Sequence, residues 1–272
     1  MVCHLGGHRC HLTSPDGRGS TGRGSEAFGL NGGDYISMRQ SQRFFNKVSF
    51  RYHDLLRQRI TSEKSNVSKA IVEPRMGERV LDVGNGGVRG IYPPQTSFYV
   101  GTDFSLEMLK KGENRTYCKV CGDAINLPFK QAGFNTILYF YLLHHLARGS
   151  TEATMEAVKK ALREGFLCLK KGGNVIIAET CVPPFLEKVE RAFFFILKIF
   201  LFLTRQSDIF LFSAETLIRV LTQCGYEQIA TWEISGEKEN PWAWVHISIF
   251  FTHLKIPRWT NPSRTVIFEV KN

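Results

Sequence analysis

The sequence predicts an α/β fold with a mostly parallel sheet, because three apolar runs each lead into an acidic residue or a glycine turn. The runs are Arg79–Val83, Phe98–Thr102 and Tyr117–Cys121, followed by Gly84, Asp103 and Gly122-Asp123 respectively. Continuous apolar runs are typical of parallel strands that are buried on both faces. The carboxyl ends of parallel strands meet at one edge of a sheet, so we expect the acids to converge there.

The glycine turn after the first run indicates a ligand that approaches the backbone closely, since glycine accepts positive φ angles. Asp103 lies 19 residues after Gly84, where a βαβ nucleotide site places the acid that binds ribose hydroxyls. A dinucleotide site fits poorly, because Arg89 occupies the position of its third glycine and Asp82 would repel a pyrophosphate. The pattern favours a cofactor with a ribose and positive charge but no phosphate, such as S-adenosylmethionine (SAM).

The three motifs resemble those of the class I SAM-dependent methyltransferases, most closely the branch that includes the quinone-biosynthesis methyltransferases. They read DVGNG over residues 82–86, GTDFSLEML over 101–109 and GDAINLPF over 122–129, with spacings of 21 and 20 residues between their acids. The resemblance covers about residues 43–235. It implies a Rossmann-like sheet of seven strands, mostly parallel with an antiparallel last strand and helices on both faces.

The resemblance also implies an enzyme that transfers a methyl group from SAM to a small, lipophilic acceptor, such as a quinone, a lipid or a secondary metabolite. The implied cofactor-binding residues are Asp82, Gly84, Asn85, Gly86, Asp103, Phe104, Asp123 and Ala124. Asp82 and the turn glycines would line the methionine end of SAM. Asp103 would bind the ribose hydroxyls, Phe104 would pack on the adenine, and Asp123 would accept a hydrogen bond from its amino group.

Two departures from the family pattern leave alternatives open. Val88 stands where the family has its third glycine, and Tyr92-Pro93-Pro94 leaves no room for a normal first helix, because proline breaks helix interiors. A non-catalytic, SAM-binding member of the fold is therefore one alternative. A dinucleotide-binding enzyme is another, against which Arg89 and Asp82 argue.

No catalytic residue is predicted from the sequence. A base is needed only if the acceptor loses a proton, and the candidates are His144, His145 and His246, since imidazole titrates near neutral pH. The other interpretation of the adjacent pair is that both are structural histidines near the cofactor.

Beyond the three motif strands, the sequence predicts further helices and strands. They are a helix within 43–72, a helix from Ser105 through Leu109, a strand over 134–141, a helix over about 151–169, a strand over 174–179, a helix from Ser213 to Gly225, and strands over 226–234 and 265–270. Serine is a typical N-cap residue at positions 105 and 213. Lys170-Lys171-Gly172-Gly173 is predicted to stop the long helix, because cations and glycine favour a helix C-terminus.

The domain prediction separates residues 1–42 from residues 43–272. The first segment is rich in Gly, Ser and Arg and is predicted to be disordered, whereas the second would form the methyltransferase domain. Within this domain, residues 183–212 and 236–263 are predicted lid or substrate insertions. The stretch 193–203 is intensely apolar but interrupted by Lys198 and too short to span a bilayer. It would roof a lipophilic pocket, rest on a membrane surface, or form a buried helix.

Composition narrows the set of partners. The net charge is +10, but no run of five like charges and no nucleic-acid-binding motif occurs, so no nucleic-acid partner is expected. The Cys and His residues near the amino terminus do not match zinc-finger spacing, and no metal is expected. Seven cysteines without an apolar signal segment predict a cytoplasmic protein, with contact at a membrane surface as an extension of that prediction.

Overall fold

The computed structural model describes residues 2–5, 8–11, 39–49, 69–87, 98–111, 117–204, 206–234, 244–249, 252–257 and 263–271. The strands are β1 Val2–Leu5, β2 His8–His11, β3 Arg79–Val83, β4 Phe98–Asp103, β5 Cys118–Cys121, β6 Phe134–Phe140, β7 Leu169–Cys181, β8 Gln228–Ile234, β9 Trp244–Ile249, β10 Thr252–Pro257 and β11 Arg264–Lys271. The helices are α1 (39–49), α2 (69–72), α3 Leu106–Lys111, α4 Thr151–Cys168, α5 Pro184–Leu203 and α6 Ala214–Gln223, with short 3-10 turns at Glu73–Arg75 and Leu143–Leu146.

Seven strands form one sheet in the order β5-β4-β3-β6-β7-β11-β8. Strands β5, β4, β3, β6 and β7 pair in parallel, whereas β11 pairs antiparallel with both β7 and β8. The predicted fold, a mostly parallel sheet with an antiparallel last strand, is therefore confirmed. The chain runs outward from β3 to β5 and then returns to place β6 on the other side of β3. Open α/β sheets bind ligands at the carboxyl ends of the strands where the order reverses in this way.

Apolar layers cover both faces of the sheet. Alternate residues of β3 point to opposite faces, so Leu81 packs with α4 and α6 while Val80 packs with Val72 and Met76 on the other side. Each such buried aliphatic side chain contributes about 1.5–3 kcal/mol to folding. Helix α4 approaches β6 closely at Gly165, where an added Cβ atom would lie 2.3 Å from the hydroxyl of Tyr139. The two layers hold the strand ends in a fixed arrangement.

The predicted serine N-caps are confirmed. The Ser105 hydroxyl accepts a hydrogen bond from the amide of Met108 at 3.2 Å, and the Ser213 hydroxyl accepts one from Thr216 at 3.2 Å. Both bonds satisfy an amide that would otherwise lack a partner in the first helical turn.

The boundary between α4 and β7 differs from the prediction. The helix ends at Cys168, and β7 begins at once at Leu169 rather than at Asn174. Leu169 pairs with Phe134 and Asn174 with Thr136, so residues 170–173 form an irregularity inside the strand. Gly172 has a φ of +75°, which suits a bulge. The Lys-Lys-Gly-Gly sequence is therefore a strand bulge and not a helix stop.

The predicted terminal segments also differ in detail. Strands β1 and β2 pair antiparallel, and α1 begins at residue 39, within the segment predicted to be disordered. Of the predicted helix within 43–72, residues 43–49 and 69–72 are helical, and residues 50–68 lie outside the described part of the chain. The predicted insertion at 183–212 contains α5, and the one at 236–263 contains the antiparallel pair β9–β10. The division at residue 42 stays a prediction.

Candidate functional site

A glycine turn follows the end of β3, at the point where the strand order of the sheet reverses. Gly84, Gly86 and Gly87 have φ angles of +71°, +63° and +77°, which side-chain-bearing residues rarely adopt. An added Cβ atom would lie 2.5 Å from Cδ1 of Leu142 at position 84 and 2.3 Å from the carbonyl oxygen of Met108 at position 87. The turn therefore requires glycine both for its backbone angles and for its close packing.

Asp103, at the end of β4, contacts this turn directly. Its Oδ2 accepts a hydrogen bond from the amide of Gly86 at 2.8 Å, and its Oδ1 accepts one from the amide of Ser105 at 2.8 Å. Burial raises the pKa of Asp103, while the two amide bonds act in the opposite direction. The structure thus brings together two predicted site residues, Asp103 and Gly86.

Asp82 and Asn85 form a buried network beneath the turn. Oδ2 of Asp82 accepts hydrogen bonds from the hydroxyl of Tyr99 at 2.5 Å and from Nδ2 of Asn85 at 2.9 Å. Oδ1 of Asn85 accepts from the amide of Gly87 at 3.0 Å and from the hydroxyl of Tyr117 at 3.2 Å. Asn85 thereby ties the glycine turn to the Asp82 carboxylate. Sequence reasoning missed the two tyrosines, because their hydroxyls reach these residues only once the strands are paired.

The residues predicted to bind the adenine lie after the ends of β4 and β5. Oδ1 of Asp123 accepts a hydrogen bond from the amide of Ile125 at 3.1 Å. Burial raises the pKa of Asp123, and this amide bond and the charge of Arg148 lower it in part. Ala124 is buried, and Phe104 is partly buried after the end of β4. Val88, Arg89 and residues 92–94 lie outside the described part of the chain.

Helix α1 crosses over this edge of the sheet. Oδ1 of Asn46 accepts a hydrogen bond from the Ser105 hydroxyl at 2.6 Å, and Nε2 of Gln42 donates to the carbonyl oxygen of Phe104 at 3.4 Å. At its other end, Nε2 of Gln40 donates to the carbonyl oxygen of Gln206 at 2.6 Å. These bonds place α1 as a cover over the end of β4.

The predicted histidine pair lies in the 3-10 turn after β6, and its members have different environments. Nδ1 of His144 is 2.5 Å from Oε1 of Glu179, which is fully buried. The ring of His145 packs against the ring of Phe45, and burial of its Nδ1 and the neighbouring His144 hold its pKa well below the usual value. His246 lies in β9, and its side chain is outside the described residues. Sequence reasoning missed Glu179, although an acid in an otherwise apolar strand was a signal.

The side chains at this edge fit SAM better than a phosphate-bearing cofactor. Two acids, Asp82 and Asp103, adjoin the glycine turn, where they would favour a cation and accept hydrogen bonds from ribose hydroxyls, but would repel a pyrophosphate. Among the residues that the structure describes, no group of three or more His, Cys, Asp or Glu side chains could hold a metal ion. SAM, when bound, supplies an electrophilic methyl group on a sulfonium.

Comparison with known proteins supports the same assignment. Residues 81–177 match the family described as a methyltransferase domain. The chain is 27% identical over 219 residues to a demethylmenaquinone methyltransferase of Corynebacterium kroppenstedtii, covering 73% of this chain and 90% of the relative. It is 34% identical over 109 residues to the enzyme of the same name from Corynebacterium urealyticum, a match that covers 39% of this chain and spans less than half, 44%, of that relative.

A solved structure shows the same fold. It is the 1,6-didemethyltoxoflavin-N1-methyltransferase of Burkholderia thailandensis, with a TM-score of 0.57 and 13% identity over 89% of this chain and 92% of that one. The sheet order, the glycine turn with its acid after β4, and the methyltransferase domain matched over residues 81–177 together support a class I SAM-dependent methyltransferase.

Proposed function

We propose that the chain transfers the methyl group of SAM to a quinone-like, lipophilic acceptor at the carboxyl edge of the sheet. The observation that carries the SAM site is the contact of Asp103 with the glycine turn through Gly86. The acceptor class is supported by the relative from Corynebacterium kroppenstedtii, whose name specifies demethylmenaquinone and whose length the match nearly covers.

The proposed roles of the cofactor-binding residues follow their positions. Asp103 would exchange part of its hydrogen bonding for the ribose hydroxyls, and Asp123 would accept from the adenine amino group with Phe104 and Ala124 alongside. Asp82 would act through Asn85 to hold the turn, whose glycines Gly84 and Gly86 leave room for the methionine end. Alignment and exclusion of water supply most of the catalysis in such a transfer, and α1 is placed to exclude water.

Helix α5 has an unusual distribution of side chains. Two of its charged residues face the protein: Glu187 accepts from the amide of Ser213 at 2.7 Å, and Lys198 lies 3.5 Å from Asp208. Apart from Lys188, which is exposed, its outward side is apolar. We call this side the outer face of α5, formed by Phe185, Val189, Phe193, Phe195, Ile196, Ile199, Phe200, Phe202 and Leu203, with exposed fractions between 46% and 74%. Surface helices normally show the reverse arrangement.

We propose that the outer face of α5 rests on a lipid surface. Exposed apolar surface of this extent marks an interaction site, and a helix lying in the membrane interface buries such a face in the headgroup region. The net charge of +10 favours an anionic surface. No helix in the described ranges has the length and apolar character to cross a membrane. A lipophilic acceptor dissolved in the bilayer would be reached from this position, with the rest of the domain in the cytoplasm.

The domain division belongs to the same proposal. Residues 43–272, extended at the amino end by the start of α1 at residue 39, would form the methyltransferase domain. The segment 183–212 would act as a lid through α5, and 236–263 would add the second wall of the acceptor pocket.

The transfer is tested with isotopically labelled SAM and lipid extracted from bacterial membranes. We expect label in a quinone fraction and its loss in Asp103→Ala, because that variant removes the ribose contact. Label in protein or nucleic acid, and none in the lipid extract, would contradict the proposed acceptor class.

Membrane contact is tested by co-sedimentation with vesicles of phosphatidylcholine and phosphatidylglycerol. Phe195→Ser and Phe202→Ser are expected to reduce the bound fraction, while Leu106→Ser, an equally apolar change at an exposed residue of α3, should leave it unchanged. If wild-type protein stays in the supernatant and forms a dimer that the α5 variants disrupt, the outer face binds a second copy of the chain and not lipid.

A further inference from the structure

We propose that the imidazole of His144, oriented by the carboxylate of Glu179, accepts the proton that the acceptor loses during methyl transfer. This inference rests on the proposed function, because it requires an acceptor whose nucleophilic group carries an ionisable proton. The observation behind it is the 2.5 Å contact between Nδ1 of His144 and Oε1 of Glu179. It gives a role to an acid that the SAM site does not use.

Glu179 lies near the carboxyl end of β7, and hydrogen bonds fix its side chain. Its side chain is completely buried, its Oε2 accepts a hydrogen bond from the amide of Leu143 at 2.9 Å, and its Oε1 accepts from the amide of Thr180 at 2.9 Å. A buried acid with both oxygens engaged does not rotate away from the imidazole. The amide of Phe210 donates to the carbonyl oxygen of His144 at 3.0 Å, which fixes the backbone on the other side.

This contact sets the chemistry of the ring. An imidazole that donates Nδ1–H to a carboxylate carries its lone pair on Nε2, and the same carboxylate stabilises the imidazolium formed when Nε2 takes a proton. A histidine oriented in this way by an acid is the arrangement found in general bases. The side chain of His144 is 14% exposed, so the ring is largely shielded but still reachable.

His144 follows β6, the strand that pairs with β3. The chain reaches it through Tyr141, which has a φ of +52° and is 42% exposed, and Leu142, which packs against Gly84 of the glycine turn. A residue other than glycine in that conformation is strained, and such strain is concentrated at functional sites. The pair of His144 and Glu179 therefore lies at the sheet edge where the methyl group would be presented.

Other titratable groups near His144 have different roles. The ring of His145 packs against Phe45, and burial and the neighbouring His144 hold the pKa of His145 well below its usual value. Glu190 approaches from α5, and burial raises its pKa to about 7, while His144 and Arg191 oppose this and Glu187 adds to it. Glu190 already accepts a hydrogen bond from the amide of Leu211 at 3.1 Å. Among the acids that the structure describes, Glu179 is the one that contacts the ring nitrogen of His144.

The proton transfer is balanced as follows. The acceptor gives its proton to Nε2 of His144 and keeps the electron pair. That pair forms the new bond to the methyl carbon, and the bond from carbon to sulfur breaks with its electrons remaining on sulfur. The imidazolium, paired with Glu179, then releases the proton to solvent. No further reactant is needed.

The test compares wild type with Glu179→Gln and His144→Gln. Glu179→Gln keeps the size of the side chain but removes its charge, so we expect kcat at pH 7 to fall about 10- to 100-fold, and His144→Gln to lower it by about 100-fold or more. Affinity for SAM, measured by calorimetry, should stay within about threefold in both, since neither residue lies in the proposed cofactor contacts. Glu190→Gln is the matched control, because it removes a nearby carboxyl group that does not contact the ring, and its kcat should stay within about threefold.

A second readout needs no turnover. In nitrogen-15 NMR spectra of the free enzyme at alkaline pH, the neutral ring of His144 should carry its proton on Nδ1, which faces Glu179, and leave Nε2 free to accept one.

Four outcomes separate the possibilities. A free Nε2 in wild type, together with the losses in kcat, supports the proposal. Near-normal kcat in His144→Gln would overturn it and leave the methyltransferase function standing. A wild-type ring that carries its proton on Nε2 would overturn it even if no acceptor were turned over. Should the variants lose SAM binding and melt early, the tautomer of the wild-type ring decides by the same criterion.

Discussion

Asp103 and Gly86 are joined by a 2.8 Å hydrogen bond that links the end of β4 to the glycine turn after β3. Because the same carboxylate also accepts from the amide of Ser105, one side chain holds both the turn and the start of α3. A ribose bound here would meet an acid whose position is fixed before the cofactor arrives. Preorganisation of this kind lowers the cost of binding.

Asp103→Ala is expected to weaken SAM binding by roughly 1.5–3 kcal/mol, the scale of a hydrogen bond to a charged group. Isothermal titration calorimetry measures the loss. Glu107→Gln is the control, because Glu107 lies on α3 nearby but pairs with Lys110 at the surface. Equal SAM affinity in wild type and Asp103→Ala would remove Asp103 from the site.

Tyr99→Phe should destabilise the fold more than Tyr117→Phe, although both remove a single hydroxyl. Tyr99 donates to the buried carboxylate of Asp82, whereas Tyr117 donates to the neutral amide oxygen of Asn85. We expect roughly 1.5–3 kcal/mol for the first and about 0.5–1.5 kcal/mol for the second. Urea denaturation gives both values. Equal losses would show that the hydrogen bond of Tyr99 to Asp82 is not stronger than that of Tyr117 to Asn85.

The motifs of the site could be predicted from the sequence because they are local. The glycine turn, the acid after β4 and the serine caps depend on a few neighbouring residues, and the mostly parallel sheet of seven strands followed from the resemblance. The contact of His144 with Glu179 joins residues 35 positions apart, and it appears only when β6 and β7 lie side by side. The inward orientation of Glu187 and Lys198 on α5 could not be predicted for the same reason, since their partners come from residues 208–216.

The apolar stretch 193–203 shows how much of a structure can be predicted from an apolar pattern alone. Two of the proposed uses, a lid and a membrane contact, need exposed side chains, and most of the stretch is exposed. Phe194 and Leu201 are exceptions, because they are buried against the domain at 4% and 0% exposure. The apolar run alone could not separate these two from their neighbours, since every residue in it looks equally suited to a core.

Glu190 is expected to make stability depend on pH. Burial raises its pKa from 4.5 to about 7 in the folded state, so the folded chain holds a proton there that the unfolded chain has released. The free energy of unfolding should therefore fall as pH rises from about 4.5 to about 7, and this contribution should level off above that range.

Glu190→Gln tests this expectation, because the amide does not titrate. Chemical denaturation at several pH values should show a shallower fall in stability for the variant than for wild type. Glu156→Gln is the control, since Glu156 is exposed beside Lys159 and should leave the slope near that of wild type. Parallel curves for Glu190→Gln and wild type would contradict the assignment.

Deleting residues 1–37 should leave the melting temperature and SAM affinity nearly unchanged. The contacts of α1 with the end of β4 and with residues 206–207 begin at Gln40, so the deletion keeps them. Deleting residues 1–49 removes the cover over the cofactor edge and should weaken SAM binding measurably. Thermal melts with and without SAM compare the two, and a large loss from the shorter deletion would show that the first segment docks on the domain.

The most direct test of the central claim uses SAM that carries a deuterated methyl group, with demethylmenaquinone offered in reduced and oxidised forms in vesicles. Mass spectrometry of the extracted lipid should find a quinone carrying the intact deuterated methyl group with wild-type protein, and far less with Asp103→Ala. If SAM binds in calorimetry but no labelled quinone appears above the Asp103→Ala level with either form, the chain does not methylate this class of acceptor.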